Sequence, residues 1–92
     1  MKTYNELKLA QELIRFPTVK TEDKGIMKFL SKKLSSIGFR CKIIKSKGIG
    51  TKHALNLYAK FGKSKPNINF LGHTDVVANL NNWKIPPFKG IV

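Results

Sequence analysis

Ninety-two residues with 41% hydrophobic, 25% charged and 10% aromatic content fit one small globular unit, in a size range where folding buries about 60–65% of the surface the unfolded chain exposes. That composition excludes a collagen, a coiled coil and a low-complexity chain, no apolar run approaches the roughly 18–20 residues of a membrane span, and the start MKTYNELKLAQEL is too polar for a signal peptide. Eighteen basic residues against five acidic ones give a net charge of +13, a field that favours polyanions.

Sixteen of those eighteen cations are lysines spread along the whole chain, without an arginine block or interleaved aromatics that would stack on bases. Specific nucleic-acid binding is therefore not expected, and the lysines read as solvated surface. The single Cys41 permits neither an internal disulfide nor a cysteine zinc site. The reading is of a cytoplasmic protein with no membrane partner.

The first predicted element is a helix over 4–15. Thr3 and Glu6 have the capping-box spacing, Leu7, Ala10, Leu13 and Ile14 recur at helical intervals, and Phe16–Pro17 forces the chain out of the α region. A second helix is predicted over 22–37, capped by Thr21, with Glu22 and Asp23 placing negative charge on its first turn. Its stripe is Ile26, Phe29, Leu30, Leu34 and Ile37, and Gly38 supplies the left-handed residue that ends it.

Beyond Gly38 the apolar period falls from 3.6 to 2. Phe39, Cys41 and Ile43 alternate with Arg40 and Lys42, predicting a strand over 39–45; Leu55, Leu57, Ala59 and Phe61 predict a second over 54–61, antiparallel to the first across a polar turn. After the turn Gly62–Pro66, Ile68-Asn69-Phe70-Leu71 reads as a short, buried third strand over 67–72. Residues 78–92 carry loop residues with Trp83 and Phe88 as packing anchors. The expected architecture is α/β, two helices packed on a three-stranded mixed sheet, with Leu13, Phe29, Leu30, Leu34, Ile43, Leu57 and Phe70 in the core.

The chemistry concentrates where that third strand ends, with Gly72, His73 and Asp75 within four residues. Ligands of open α/β sheets bind outside the carboxyl ends of strands. An imidazole there can offer one nitrogen to a metal while a carboxylate takes the other N–H, fixing the tautomer and raising ligand basicity. By itself His-x-Asp also fits a histidine satisfied by its neighbour. His53, with no acidic neighbour in sequence, reads as a surface residue, and Cys41 as a small apolar one.

The stretch from Asn69 through Gly72-His73-Thr74-Asp75-Val76-Val77, followed by Trp83-Lys84-Ile85-Pro86-Pro87-Phe88, resembles the amino-terminal metal-ligand segment of the M20 family of zinc-dependent metallohydrolases. The likeness extends upstream through Arg15–Val19, Asp23, Gly25, Leu34, Gly38-Phe39 and Asn56–Ala59, and so covers nearly the whole chain. Ala78 and Asn79-Leu80 depart from the family's usual Pro and Gly-containing turn. The resemblance implies a zinc ligand at His73, with cobalt as an alternative metal, and a catalytic-site carboxylate at Asp75 that orients it.

It further implies a small-molecule N-acyl amino acid substrate. The nearest likeness is to members that hydrolyse N-succinyl-diaminopimelate in lysine biosynthesis, and the next is to those acting on acetylated ornithine or other acylated amino acids and peptides. The remaining family ligands, the general base and the dimerising domain would all fall after Val92. Residues 1–92 are accordingly expected to be the incomplete amino-terminal portion of the catalytic domain, inactive alone, in a parent that is a homodimer. Outside the family, the alternative is a small basic module that binds polyanions.

Overall fold

A computed structural model describes residues 5–20, 22–47, 53–78 and 82–92. Two helices are followed by a hairpin, in the order α1 (Glu6–Ile14), α2 (Ile26–Ser35), β1 (Arg40–Lys47) and β2 (His53–Lys60). Both helices are shorter than their apolar patterns suggest. Asn5, not Thr3, caps α1: its backbone is extended and its side-chain oxygen accepts the Lys8 N–H at 3.0 Å. Thr3 lies outside the described residues.

The second helix starts four residues later than predicted, because Lys24 and Gly25 are left-handed, at φ 54° and 93°, and a left-handed pair cannot continue a helical turn. Asp23 serves its amino end from outside the helix. One carboxylate oxygen accepts the Gly25 N–H at 2.9 Å and the other the Met27 N–H at 3.2 Å. Thr21, the predicted cap, lies outside the described residues. The predicted stop is in place: Gly38 has φ 102°, its N–H donates to Ser35 O, and the Phe39 N–H reaches back to Leu34 O at 3.0 Å, the paired bonds of a Schellman ending.

The strands pair antiparallel in the register Arg40↔Lys60, Cys41↔Ala59, Ile43↔Leu57 and Lys47↔His53. Half-buried Cys41, Leu55, Leu57 and Ala59 alternate with exposed Arg40, Lys42, Asn56, Tyr58 and Lys60, so one face of the hairpin is apolar and α2 covers it. Rings of Phe39 and Phe61 close its open end at 5.2 Å. The first helix makes no comparable contact with either strand, which corrects the expectation that both helices pack on one sheet. It approaches α2 instead, through the Glu12–Lys33 pair at 4.0 Å, and just beyond its end the Phe16 ring lies 5.1 Å from that of Phe29.

The largest correction concerns the third strand. Residues 67–72 form no regular element and are unpaired, and the sheet has two strands. A central strand needs partners on both edges and cover on both faces to be buried. Among the described residues nothing lies alongside it, and Ile68, Phe70 and Leu71 are 82%, 89% and 96% exposed. Phe70 therefore leaves the predicted core, as does Ile43, which is 40% exposed on the hairpin, while Leu13, Phe29, Leu30, Leu34 and Leu57 are half-buried. The one buried apolar side chain among the described residues is Ile26, at 3% exposure. No helix among them is long and apolar enough to cross a membrane.

Candidate functional site

The segment that carries His73 is anchored at its far end. Once Pro17 has ended α1, the chain passes beside Val76 at Val19 and turns at Lys20, whose φ is 58°: the Val76 N–H donates to Thr18 O and the Lys20 N–H to Val76 O, each at 2.9 Å, in a single parallel bridge between Val19 and Val76. Thr18 is 4% exposed, and its hydroxyl donates to the Thr74 carbonyl at 2.6 Å. The chain after Leu71 is thus tied to the Thr18 segment at Thr74–Val76, beyond the predicted strand.

His73 and Asp75 flank that anchor and come together. His73 Nδ1 lies 3.1 Å from Asp75 Oδ1 and 3.1 Å from the Asp75 carbonyl oxygen. With the proton on Nδ1 it donates to the aspartate, and the Nε2 lone pair is left to face outward. Both side chains are open to solvent, at 82% and 64% exposure. Beside them lies an open groove of about 570 Å³ whose walls include Leu13, Ile26, Leu30, Trp83 and Phe88, with His73 and Thr74 among its lining. Ile14, apolar and exposed on α1, is also a wall of this groove.

Of the other candidates among the described residues, only Trp83 and Phe88 share the groove. Phe88 is half-buried as an anchor should be, but Trp83 is 59% exposed. Cys41 is a half-buried free thiol on the hairpin. His53 opens β2, and its side chain, like Asn79 and Leu80, lies outside the described residues. Glu22 pairs with Lys24 at 2.8 Å, Glu12 approaches Lys33, and Asp23 caps α2. Among the described residues no three His, Cys, Asp or Glu side chains converge as a metal site. A catalytic zinc needs about three protein ligands, so His73 and Asp75 do not hold a catalytic metal on their own. Thr18 was not singled out by the sequence; no periodicity links it to Thr74, 56 positions away.

Sequence comparison decides the kinship. The chain is 53% identical over 91 residues to the succinyl-diaminopimelate desuccinylase of Pelagibacter ubique (strain HTCC1062), an alignment covering 97% of this chain and 24% of that protein. It is a relative of the succinyl-diaminopimelate desuccinylases. Those of Ehrlichia chaffeensis (strain ATCC CRL-10679 / Arkansas) and Ehrlichia canis (strain Jake) are 45% and 44% identical over 84 and 86 residues, which is 89% and 91% of this chain and 22% of each relative. The chain therefore spans about a quarter of the length of the desuccinylases it matches. No family model matches it. The names of these relatives agree with the family resemblance carried by Gly72–Val77 and Trp83–Phe88.

Proposed function

We propose that this chain is the portion of a desuccinylase-type amidohydrolase that supplies one metal-ligand imidazole, His73, together with the carboxylate that orients it, Asp75, and that it is inactive without the remainder. The observation that carries the reading is the combination of near-complete coverage of this chain with about a quarter coverage of the relatives, alongside a His73–Asp75 pair that is well formed yet short of a full ligand set. In the whole enzyme the reaction is hydrolysis of N-succinyl-diaminopimelate to succinate and diaminopimelate, in the cytoplasm. Zinc, or cobalt in its place, is bound by His73 and by ligands that this chain does not supply.

The exposed run Ile68–Leu71 fits the same reading. It has the composition of a central strand and no strand partner among the described residues, so it becomes the third strand of the sheet once the rest of the catalytic domain lies beside it. The groove next to His73 is covered in the same step, and dimerisation belongs to residues outside this chain.

A second reading rests on the hairpin's outer face, where Arg40 stands directly opposite Lys60 and Lys42 opposite the exposed Tyr58. Like charges across a strand pair repel, and a bound polyanion would relieve that repulsion. One experiment separates the two. The 92-residue chain is mixed with a polypeptide corresponding to the unaligned remainder of the Pelagibacter ubique relative, and zinc-dependent release of succinate is measured. Turnover by the mixture and none by either part supports the desuccinylase reading. No turnover, together with tight binding of a nucleic-acid oligomer that weakens steeply with salt, supports the module.

A further inference from the structure

The groove, the exposed run 68–71, the basic hairpin face and the free thiol all either belong to the reading above or lack a second observation. Thr18 has one. Its two oxygens act on the two peptide planes that meet at Asp75: the hydroxyl donates to the Thr74 carbonyl, which shares a plane with the Asp75 N–H, and the Thr18 carbonyl accepts the Val76 N–H, which shares a plane with the Asp75 carbonyl. Fixing both planes fixes the backbone dihedrals of Asp75, because a residue has only two soft backbone rotations. The carboxylate and the carbonyl that approach His73 Nδ1 both belong to that residue.

We propose that Thr18 is a positioning residue for the metal-ligand pair, setting the tautomer and direction of the His73 imidazole through the backbone of Asp75. This rests on reading His73 and Asp75 as a functional pair. The location of Thr18 suits the role. It is buried while the pair is open to solvent, so the restraint comes from the ordered side of the chain and leaves Nε2 accessible. The hydroxyl is also the part that a purely apolar β-branched residue would lack, and without it the Thr74 carbonyl would lose its donor in a part-buried place.

The test is NMR of the 92-residue chain labelled with ¹⁵N in its histidine rings. In the parent sequence, the His73 Nδ1 and Nε2 signals report a tautomer biased toward Nδ1–H. Asp75→Ala should move them toward an unbiased imidazole. Thr18→Val should move them the same way and by more than half as much, with the amide signals of the hairpin unchanged, and Thr18→Ser should keep them at the parent position. If Asp75→Ala shifts the signals and Thr18→Val does not, the Thr18 proposal is overturned and the pair stands. If Asp75→Ala has no effect, the pair itself is overturned and with it any positioning role. Should Thr18→Val fail to fold, the hydroxyl proton of Thr18 in the parent decides the matter: slow exchange with water supports the bond to Thr74, and free exchange overturns it.

Discussion

Gln11 and Gly90, 79 positions apart, are held together by a 2.7 Å hydrogen bond from the Gln11 side-chain amide to the Gly90 carbonyl. One helical turn further on, the Arg15 side chain donates from Nε to the Lys89 carbonyl at 3.2 Å. These two bonds lay the segment after Phe88 along α1, and they explain why Gly90 is buried. A Cβ at Gly90 would stand 2.9 Å from Gln11 O and 3.2 Å from Gln11 Cα, both backbone atoms that cannot swing away, and the residue has φ 65°.

Gly90→Ala should therefore cost about 1–2 kcal/mol for the left-handed backbone and, on top of that, a displacement of the segment from α1. Gly62→Ala is the control, since Gly62 has φ 81° and nothing within 4 Å of a built Cβ. Unfolding free energies of the two variants from urea titration should differ by about 1 kcal/mol or more, in the range of overpacking costs. Equal free energies would mean that the contact between α1 and this segment contributes nothing.

Burial sets the next pair of expectations. Ile26 is 3% exposed and Phe70 is 89% exposed, so Ile26→Ala should lose about 2–5 kcal/mol while Phe70→Ser stays within about 0.5 kcal/mol of the parent. The same Phe70→Ser change made in an enzyme extended to the relatives' full length should cost several kcal/mol, about the range for a buried aromatic. A Phe70 that is silent in both contexts would remove the argument for a third strand.

At the amino end of α2, Asp23 acts as a cap from outside the helix. It is a half-buried carboxylate that bonds two N–H groups, those of Gly25 and Met27, and no side chain of the first residue before the helix does so. Asp23→Ala should destabilise by about 1 kcal/mol, and Asp23→Asn should recover part of that loss, since an amide oxygen can still accept. Loss of helical circular dichroism at lower denaturant in the alanine variant alone would show it.

What could be read in advance was what the chain decides locally. Gly38 ends α2 because a left-handed residue with the right neighbours is a short-range requirement, and β1 and β2 pair because alternation on both sides of a turn fixes the register. His73 and Asp75 are two positions apart, close enough for spacing alone to suggest their contact. The third strand was illegible for the opposite reason. Ile68–Leu71 has the pattern of a buried strand, but pattern records the burial a segment is suited to, and burial needs neighbours. Thr18 was equally hidden, since its partner lies 56 residues on and no period connects them. The late start of α2 came from Lys24, whose positive φ no propensity rule anticipates for a lysine.

The last expectation concerns metal. One imidazole oriented by one carboxylate is a fraction of a site, so zinc should bind the 92-residue chain weakly, and His73→Ala should abolish what binding there is. In a protein restored to the relatives' length, His73→Ala removes a ligand and should lower zinc content per chain. Asp75→Ala keeps every direct ligand but frees the imidazole that Asp75 now meets at 3.1 Å, and should cost roughly 10–100-fold in metal affinity or turnover, the range for partners that orient a metal-bound histidine. The ordering of the two variants is the informative result, read by metal analysis after dialysis and by succinate release at saturating zinc. Excess zinc should restore part of the Asp75→Ala turnover and little of the His73→Ala turnover, because a loosened ligand can still be driven to bind and an absent one cannot. Full metal content in His73→Ala, or parent-level affinity and turnover in Asp75→Ala, would make the pair a structural contact at the end of an extended segment.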